Sequence, residues 1–277
     1  MNFLIIFNPD SNQAKEISNR AKEILTDCNA SVNISEFDRS EEYDKSLNTL
    51  LKDTDAVIVI GGDGTILRIA KAAALHNCPI LGINAGHLGY LASLKDSNIE
   101  LLNQLVLNKY TVENRAMLKI EKLVNGYTVE SCEALNDAVI YKDPMCNILD
   151  IVLNIGNDKI KYRADGIIVA TPTGSTAYSL SAGGPVVDPQ MKCLVITPVC
   201  PHTLVTRSLV TDGNAPITIK ATNRSKESIF LSADGKNVFS IEENSQISVT
   251  ISDNFAKFIK LNDLSVYKIL SEKTDNY

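Results

Sequence analysis

Tryptophan is absent from this chain of 277 residues, and histidine occurs three times, at His76, His87 and His202. Histidines so dispersed lack metal-ligand spacing, and structural or surface roles suit them better. Six cysteines, Cys28, Cys78, Cys132, Cys146, Cys193 and Cys200, are scattered with no Cys-x-x-Cys pair. In a chain this large that points to reduced thiols rather than a disulfide framework. There is no run of Lys or Arg, and the net charge is −6. That balance speaks against a protein held on nucleic acid by phosphate neutralisation, or on a membrane by a polybasic surface. A small anionic ligand stays open, because a few local cations and a metal suffice. No apolar run approaches membrane-spanning length. Phe3 to Phe7 is apolar but has no basic residues before it and breaks at Asn8-Pro9, a poor signal peptide. The expectation is a soluble, cytoplasmic protein. Neither a Walker A loop nor a Gly-x-Gly-x-x-Gly fingerprint occurs. Ser175, Ser179 and Ser181 form no Gly-x-Ser-x-Gly elbow, which speaks against a serine hydrolase.

What is present is enough apolar sequence, 44% against 22% charged, to bury a sizeable core. Phe3 to Phe7, Val32 to Phe37, Ala56 to Ile60 and Pro79 to Ile83 read as strands. Helical spacing lies between them: after Ser11, over Ser40 to Leu51, after Thr65, and over Ile99 to Leu107. This alternation predicts a parallel sheet covered by helices. From about residue 113 the pattern changes to β-runs separated by turns. Asn125-Gly126 gives the strongest hairpin signal. Strands are expected at Met117 to Val124, Tyr127 to Ala134, Ala138 to Tyr141, Ile148 to Ile155, Ile160 to Arg163 and Ile167 to Thr171. More are expected at Leu194 to Thr197, Ile217 to Ala221, Ile229 to Ser232, Ile247 to Ile251 and Phe255 to Leu261. Helical periodicity returns at Leu264 to Leu270. The reading is an α/β domain over 1–112, Rossmann-like with a mostly parallel sheet, and an all-β, sandwich-like domain over 113–261. The segment 262–277 is expected to pack back on the first, with the active site between the domains.

The most distinctive stretch runs from Asp165 to Pro185, a strand followed by Thr171-Pro172-Thr173-Gly174-Ser175-Thr176-Ala177-Tyr178-Ser179-Leu180-Ser181. It contains no Lys or Arg, so it offers a ligand hydroxyls, backbone N–H groups and shape. Gly61-Gly62-Asp63-Gly64-Thr65 lies where a strand meets a helix, the place where ligands bind in open α/β sheets. Its glycines let N–H groups face an anion. Asp63 would repel that anion unless it faced a metal or a hydroxyl. It reads either as a general base activating an alcohol for phosphoryl transfer or as a helix cap. Asn136-Asp137 reads as a strand-entry turn, Arg163 with Asp165 as a surface ion pair, and Asp234-Gly235-Lys236 as a hairpin turn.

Taken together these blocks resemble the NAD kinase family over most of the chain. They are Gly61 to Thr65, Leu81 to Leu91, Asn136-Asp137, Asp165 to Pro185, Pro201 to Leu204 and Asp234-Gly235, in the family's order. The resemblance implies transfer of the γ-phosphate of ATP to the 2′-hydroxyl of the adenosine ribose of NAD, giving NADP, with a divalent metal, magnesium being expected. It implies Asp63 as the catalytic carboxylate, and Gly64 and Arg68 beside bound nucleotide. Asn136 and Asp137 would hold ribose hydroxyls, and Arg163 and Asp165 would lie near the ligand. Thr173 and the run Thr176, Ala177, Tyr178, Ser179, Leu180 and Ser181 would form its wall. No protein side chain is assigned to the metal. The resemblance also implies a homo-oligomer, tetramer or dimer, with other triphosphates or polyphosphate as further donors to test. Asp137 stands where the family more usually has Glu, Asn147 where a basic residue is frequent, and Lys236 where Gln is common. Two other classes stay open: a lipid or sugar kinase sharing the glycine-aspartate block, and a non-catalytic module that senses NAD or NADP.

Overall fold

The computed structural model describes residues 1–86, 89–143, 147–202, 207–223, 228–261 and 265–274. Cys146, the block residues His87, Leu88, Thr203 and Leu204, and Leu264 of the expected last helix lie outside them. The chain divides into two compact units, one formed by Met1–Arg115 with Asn254–Tyr277 and one by Ala116–Asp253.

In the first unit, strands β1 (Asn2–Phe7), β2 (Ser31–Glu36), β3 (Ala56–Gly61) and β4 (Ile80–Asn84) pair in parallel in the order β2-β1-β3-β4. β3 and β4 are buried at every residue, as strands apolar on both faces must be. Helices α1 (Asn12–Asp27), α2 (Glu41–Leu51) and α3 (Asp63–Leu75) form the crossovers. Ser11 Oγ accepts from the Ala14 N–H at 3.2 Å and Ser40 Oγ from the Tyr43 N–H at 3.2 Å, so both serines cap their helices. Ala14, Ile17, Ala21 and Leu25 share a core with Phe3, Ile5 and Ile58. β5 (Leu94–Lys95) adds to β4 in parallel. Where the sequence predicts one helix at 99–107, a 3-10 turn at Asp96–Leu102 runs into the four-residue α4 (Asn103–Val106). Ser97 Oγ donates to Asn98 Oδ1 and Asn98 leaves helical geometry; such local polar bonds compete with a regular helix.

The second unit is β-rich. β6 (Thr111–Val124) and β7 (Tyr127–Ala134) form a hairpin around Asn125 and Gly126, with φ of 54° and 82°. The positive φ at both turn residues is why Asn-Gly occupies this position. There follow β8 (Asp137–Lys142), β9 (Leu149–Ile155), β10 (Asp158–Ala164), β11 (Gly166–Ala170), the one-turn helix α5 (Tyr178–Ser181), β12 (Cys193–Val199) and β13 (Leu209–Asp212). The last strands are β14 (Ile217–Thr222), β15 (Ile229–Ala233), β16 (Lys236–Ile241) and β17 (Ser245–Lys260). One antiparallel sheet has the order β13-β12-β11-β8-β15-β16, while β10, β9, β14 and the first part of β17 pair antiparallel in a second. Ile140, Ile167, Val169 and Leu231 of the first meet Ile151, Leu153, Ile219 and Ile247 of the second in one buried cluster, a sandwich core. Ile168 and Ala170 face a separate cluster with Val187 and Val195, so β11 is buried on both sides. The two architectures are those that the sequence predicts. β5, β13 and β16 are additional, and β17 is one strand where two were expected. Its last residues return to the first unit, where Phe258 pairs with Ile80, and α6 (Val266–Thr274) follows. No helix among the described residues is long and apolar enough to cross a membrane.

Candidate active site

At the carboxyl end of β3 the chain turns through Gly61 and Gly62 into α3, and Asp63 is the first helical residue. Gly62 holds the N-cap position and offers no side-chain cap. Asp63 is not spent on capping either. Its Oδ2 accepts the Tyr90 N–H at 2.8 Å and its Oδ1 the Leu91 N–H at 3.0 Å. The carboxylate thus lies on the backbone of the segment that follows β4. A Cβ on Gly89 would stand 2.0 Å from Asp63 Oδ1, so only glycine permits this approach. Two N–H groups on two oxygens fix the plane of the carboxylate while each oxygen keeps a lone pair for an incoming hydroxyl. Gly64 is exposed beside it, with open space where a side chain would be.

In the second unit three strand ends meet at one end of the six-stranded sheet. β8 begins at Asp137 opposite Ala170, the end of β11, and Ala138 stands opposite Ala233, the end of β15. The Asp234-Gly235 turn has φ of 51° and 75°, and the Asp234 side chain reaches back across that end. Its Oδ2 accepts from the Leu135 N–H at 2.8 Å, and its Oδ1 from the N–H groups of Asn136 at 2.7 Å and Asp137 at 3.3 Å. Thr171 ties the same turn from the other side: its N–H donates to Asn136 O at 2.8 Å and its Oγ1 to Leu135 O at 2.6 Å. Gly174 packs so closely that a Cβ would sit 2.0 Å from Asn136 O. Asp137 is 5% exposed. Burial first, and then the charge of Asp234, push its carboxyl up to about 7.

Several sequence candidates differ from expectation in orientation. The hydroxyls after Asp165 divide into two sets. Ser179 Oγ is fully buried against Thr197 Oγ1 at 2.9 Å, and Ser175 Oγ bonds Pro172 O and the Val187 N–H. The Ser179 hydroxyl is thus turned onto β12. Thr173 is also buried, Thr176 donates to Thr173 O, and Ala177 is half-buried. Tyr178, Leu180 and Ser181 are exposed. Arg68 is committed within the first unit: it holds Asp44 at 3.2 Å through Nε and 2.9 Å through Nη2, and Nη2 also donates to Arg39 O at 2.7 Å. Arg163 and Asp165 do not pair with each other. Arg163 binds Asp150 at 3.2 Å and Asp165 binds Lys142 at 3.4 Å. Asn147 and Lys236 are exposed, the latter opening β16. Two features escape sequence reasoning, the Gly89 to Leu91 cradle and the back-reaching Asp234. Both depend on chain segments far apart in sequence, and only the Gly-rich spacing at Gly86 and Gly89 hints at the first.

A family model of the ATP-NAD kinase N-terminal domain matches residues 3–110, and one of the ATP-NAD kinase C-terminal domain matches 135–261. The chain is 40% identical over 223 residues to an NAD kinase of Symbiobacterium thermophilum, covering 80% of this chain and 78% of that one. It is 33% identical over 276 residues to an NAD kinase of Natranaerobius thermophilus, covering 97% and 96%. Among solved structures, an NAD kinase from Archaeoglobus fulgidus in complex with ATP superposes with a TM-score of 0.76 at 26% identity, over 99% of this chain and 98% of that one. Yeast NADH kinase complexed with NADH shares the fold, with a TM-score of 0.83 at 22% identity over 99% and 87%. With both domain models matched in order and full-length relatives above 30% identity, the chain belongs to the ATP-NAD kinase family.

Proposed function

We propose that this protein transfers the γ-phosphate of ATP to the 2′-hydroxyl of the adenosine ribose of NAD, with Asp63 as general base. The observation that carries the reading is the Asp63 carboxylate, fixed by two backbone N–H groups at the mouth of a glycine-rich strand-to-helix turn. Asp63 takes the proton of the 2′-hydroxyl as the oxygen attacks. The new O–P bond forms, the bond from the γ-phosphorus to the bridging oxygen breaks, and ADP leaves. Anchoring the carboxylate beforehand removes the need to order it during the reaction. In the second unit Asn136 and Asp137, held in place by Asp234 and Thr171, would bind ribose hydroxyls. Asp137 holding its proton near neutrality could donate as well as accept there.

Among the described residues no three His, Cys, Asp or Glu side chains converge as metal ligands. One carboxylate at a glycine-rich strand-to-helix turn would suit magnesium that arrives with the triphosphate. Asp63 is the side chain that would touch it, and the ion would neutralise phosphate charge. The reading also carries a cytoplasmic homo-oligomer, dimer or tetramer. The test is formation of NADP from NAD, ATP and magnesium by the purified protein. Asp63→Asn is expected to lower kcat by about 10²–10⁴-fold; unchanged turnover would sink the base assignment.

A further inference from the structure

The segment holding Asp63 is itself held, and its brace comes from the far end of the chain. Gly89, Tyr90 and Leu91 lead into Ser93, whose N–H donates to Gly82 O at 3.0 Å and whose Oγ donates to Ile259 O at 2.8 Å. Lys95 follows, and its Nζ meets Glu272 Oε2 of α6 at 2.7 Å. One residue on, Lys273 places its Nζ 4.3 Å from the centre of the Tyr90 ring. Tyr90 therefore donates its N–H to Asp63 at 2.8 Å while its ring carries the α6 ammonium. Ile259, Glu272 and Lys273 all belong to the C-terminal stretch of the first unit.

We propose that Gly89 and Lys273 are positioning residues for Asp63: the Gly89–Leu91 strap sets the direction of the carboxylate, and the C-terminal helix braces the strap. The inference rests on Asp63 being the catalytic base. Each brace contact is weak by itself. The Lys95 and Glu272 side chains are 44% and 36% exposed, and Tyr90 and Lys273 are both half-buried, so the ion pair and the cation–π contact are each modest. Weak contacts suffice here, because a displacement of about 1 Å in a reacting group costs about 10²-fold in rate. The brace sets the position of the strap rather than holding the fold.

The experiment compares steady-state kinetics and hydrogen exchange in the full chain with NAD, ATP and magnesium. Glu272→Ala combined with Lys273→Ala is expected to lower kcat about 3- to 10-fold. Both KM values and the melting temperature should stay as in wild type, and amide exchange across 89–91 should quicken. Lys273→Arg, which keeps a cation over the ring, should retain the wild-type rate. Gly89→Ala is expected to lose about 10²-fold in kcat, and in the Asp63→Asn background to cost nothing further. If Gly89→Ala does not fold, the α6 pair and the exchange measurement still decide. A wild-type kcat with unchanged exchange in the α6 pair overturns the brace while NADP formation stands. A fall in melting temperature that accounts for the rate loss overturns it too, as a purely structural role. A wild-type protein that makes no NADP fails the proposed function instead.

Discussion

Asp137 is buried beside Asp234, and its carboxyl is pushed up to about 7 by desolvation and then by that neighbouring charge. An ordinary unfolded Asp releases its proton near 3.8, so between about pH 4 and pH 7 the native state binds a proton that the unfolded state does not. Stability attributable to this group must then fall as pH rises through that window and level off above it. Asp137→Asn removes the titration. Urea melts at pH 5, 6, 7 and 8 should show the variant gaining on wild type with rising pH, by an amount on the order of a few kcal/mol. A difference that stays flat across the window would contradict the raised carboxyl. Asp137 was legible from the sequence as a polar residue at a strand entry; its burial was not. The pairing of β8 with β11 and β15 brings Asp137 beside Ala170 and the Asp234 turn, and no local pattern around Asn136-Asp137 encodes that. The same holds for Asp63. Its position after an apolar strand in a glycine-rich turn marks it as reactive, while the N–H groups that aim it come from 27 and 28 residues along the chain.

At the scale of elements, the chemistry of Arg68 turns on which helix it serves. Its side chain is 15% exposed and forks onto Asp44, with a further bond to Arg39 O just before the Ser40 cap, so it ties α3 to the start of α2. Arg68→Ala is expected to lower unfolding stability by about 1–3 kcal/mol, the usual loss for a hydrogen-bonded charge, while the KM for ATP changes less than about threefold. A tenfold rise in that KM without loss of stability would return Arg68 to the nucleotide. The elements themselves were largely legible. Short, β-branched apolar runs bounded by turn residues, such as Ala56 to Ile60, read as buried strands, and Ser11 and Ser40 mark helix starts by a short side chain that reaches an N–H. The edge strands of the six-stranded sheet were not legible. β13 and β16 border the six-stranded sheet on opposite sides, where, among the described residues, one flank has no partner strand in that sheet and little apolar patterning is needed. The break expected inside β17 came from the polar run Ser252-Asp253-Asn254. Ser252 is nonetheless buried, with its hydroxyl on Glu133 of β7, so a polar pair replaces apolar packing and the strand continues.

At the scale of the whole molecule, the first unit is built from two separate lengths of chain, and the second length supplies part of its core. Ala256, Phe258 and Ile259 are buried, Phe258 pairs with Ile80 at the β4 edge, and Ile259 O takes the buried Ser93 hydroxyl. Arg115 lies 5.8 Å from the Phe258 ring centre, and Lys260 meets Glu113 at 3.6 Å. Removing α6 alone leaves all of these in place, whereas a chain ended at Asp253 exposes the β4 edge and strands a buried hydroxyl. Loss of a buried Phe costs about 3–5 kcal/mol and of an Ile about 2–5, which together approach the whole stability of an ordinary domain. The shorter chain, ended at Asp253, should therefore lose the cooperative melt of the first unit. Amides of β1 and β3 should then exchange within the dead time of the measurement. The chain ended at Leu261 should melt within a few degrees of the full protein, yet show the reduced kcat expected for an unbraced strap. If the chain ended at Asp253 keeps protected amides in β1 and β3, the N-terminal αβ elements fold without their returning strand. The C-terminal length would then act on Asp63 alone rather than on the fold.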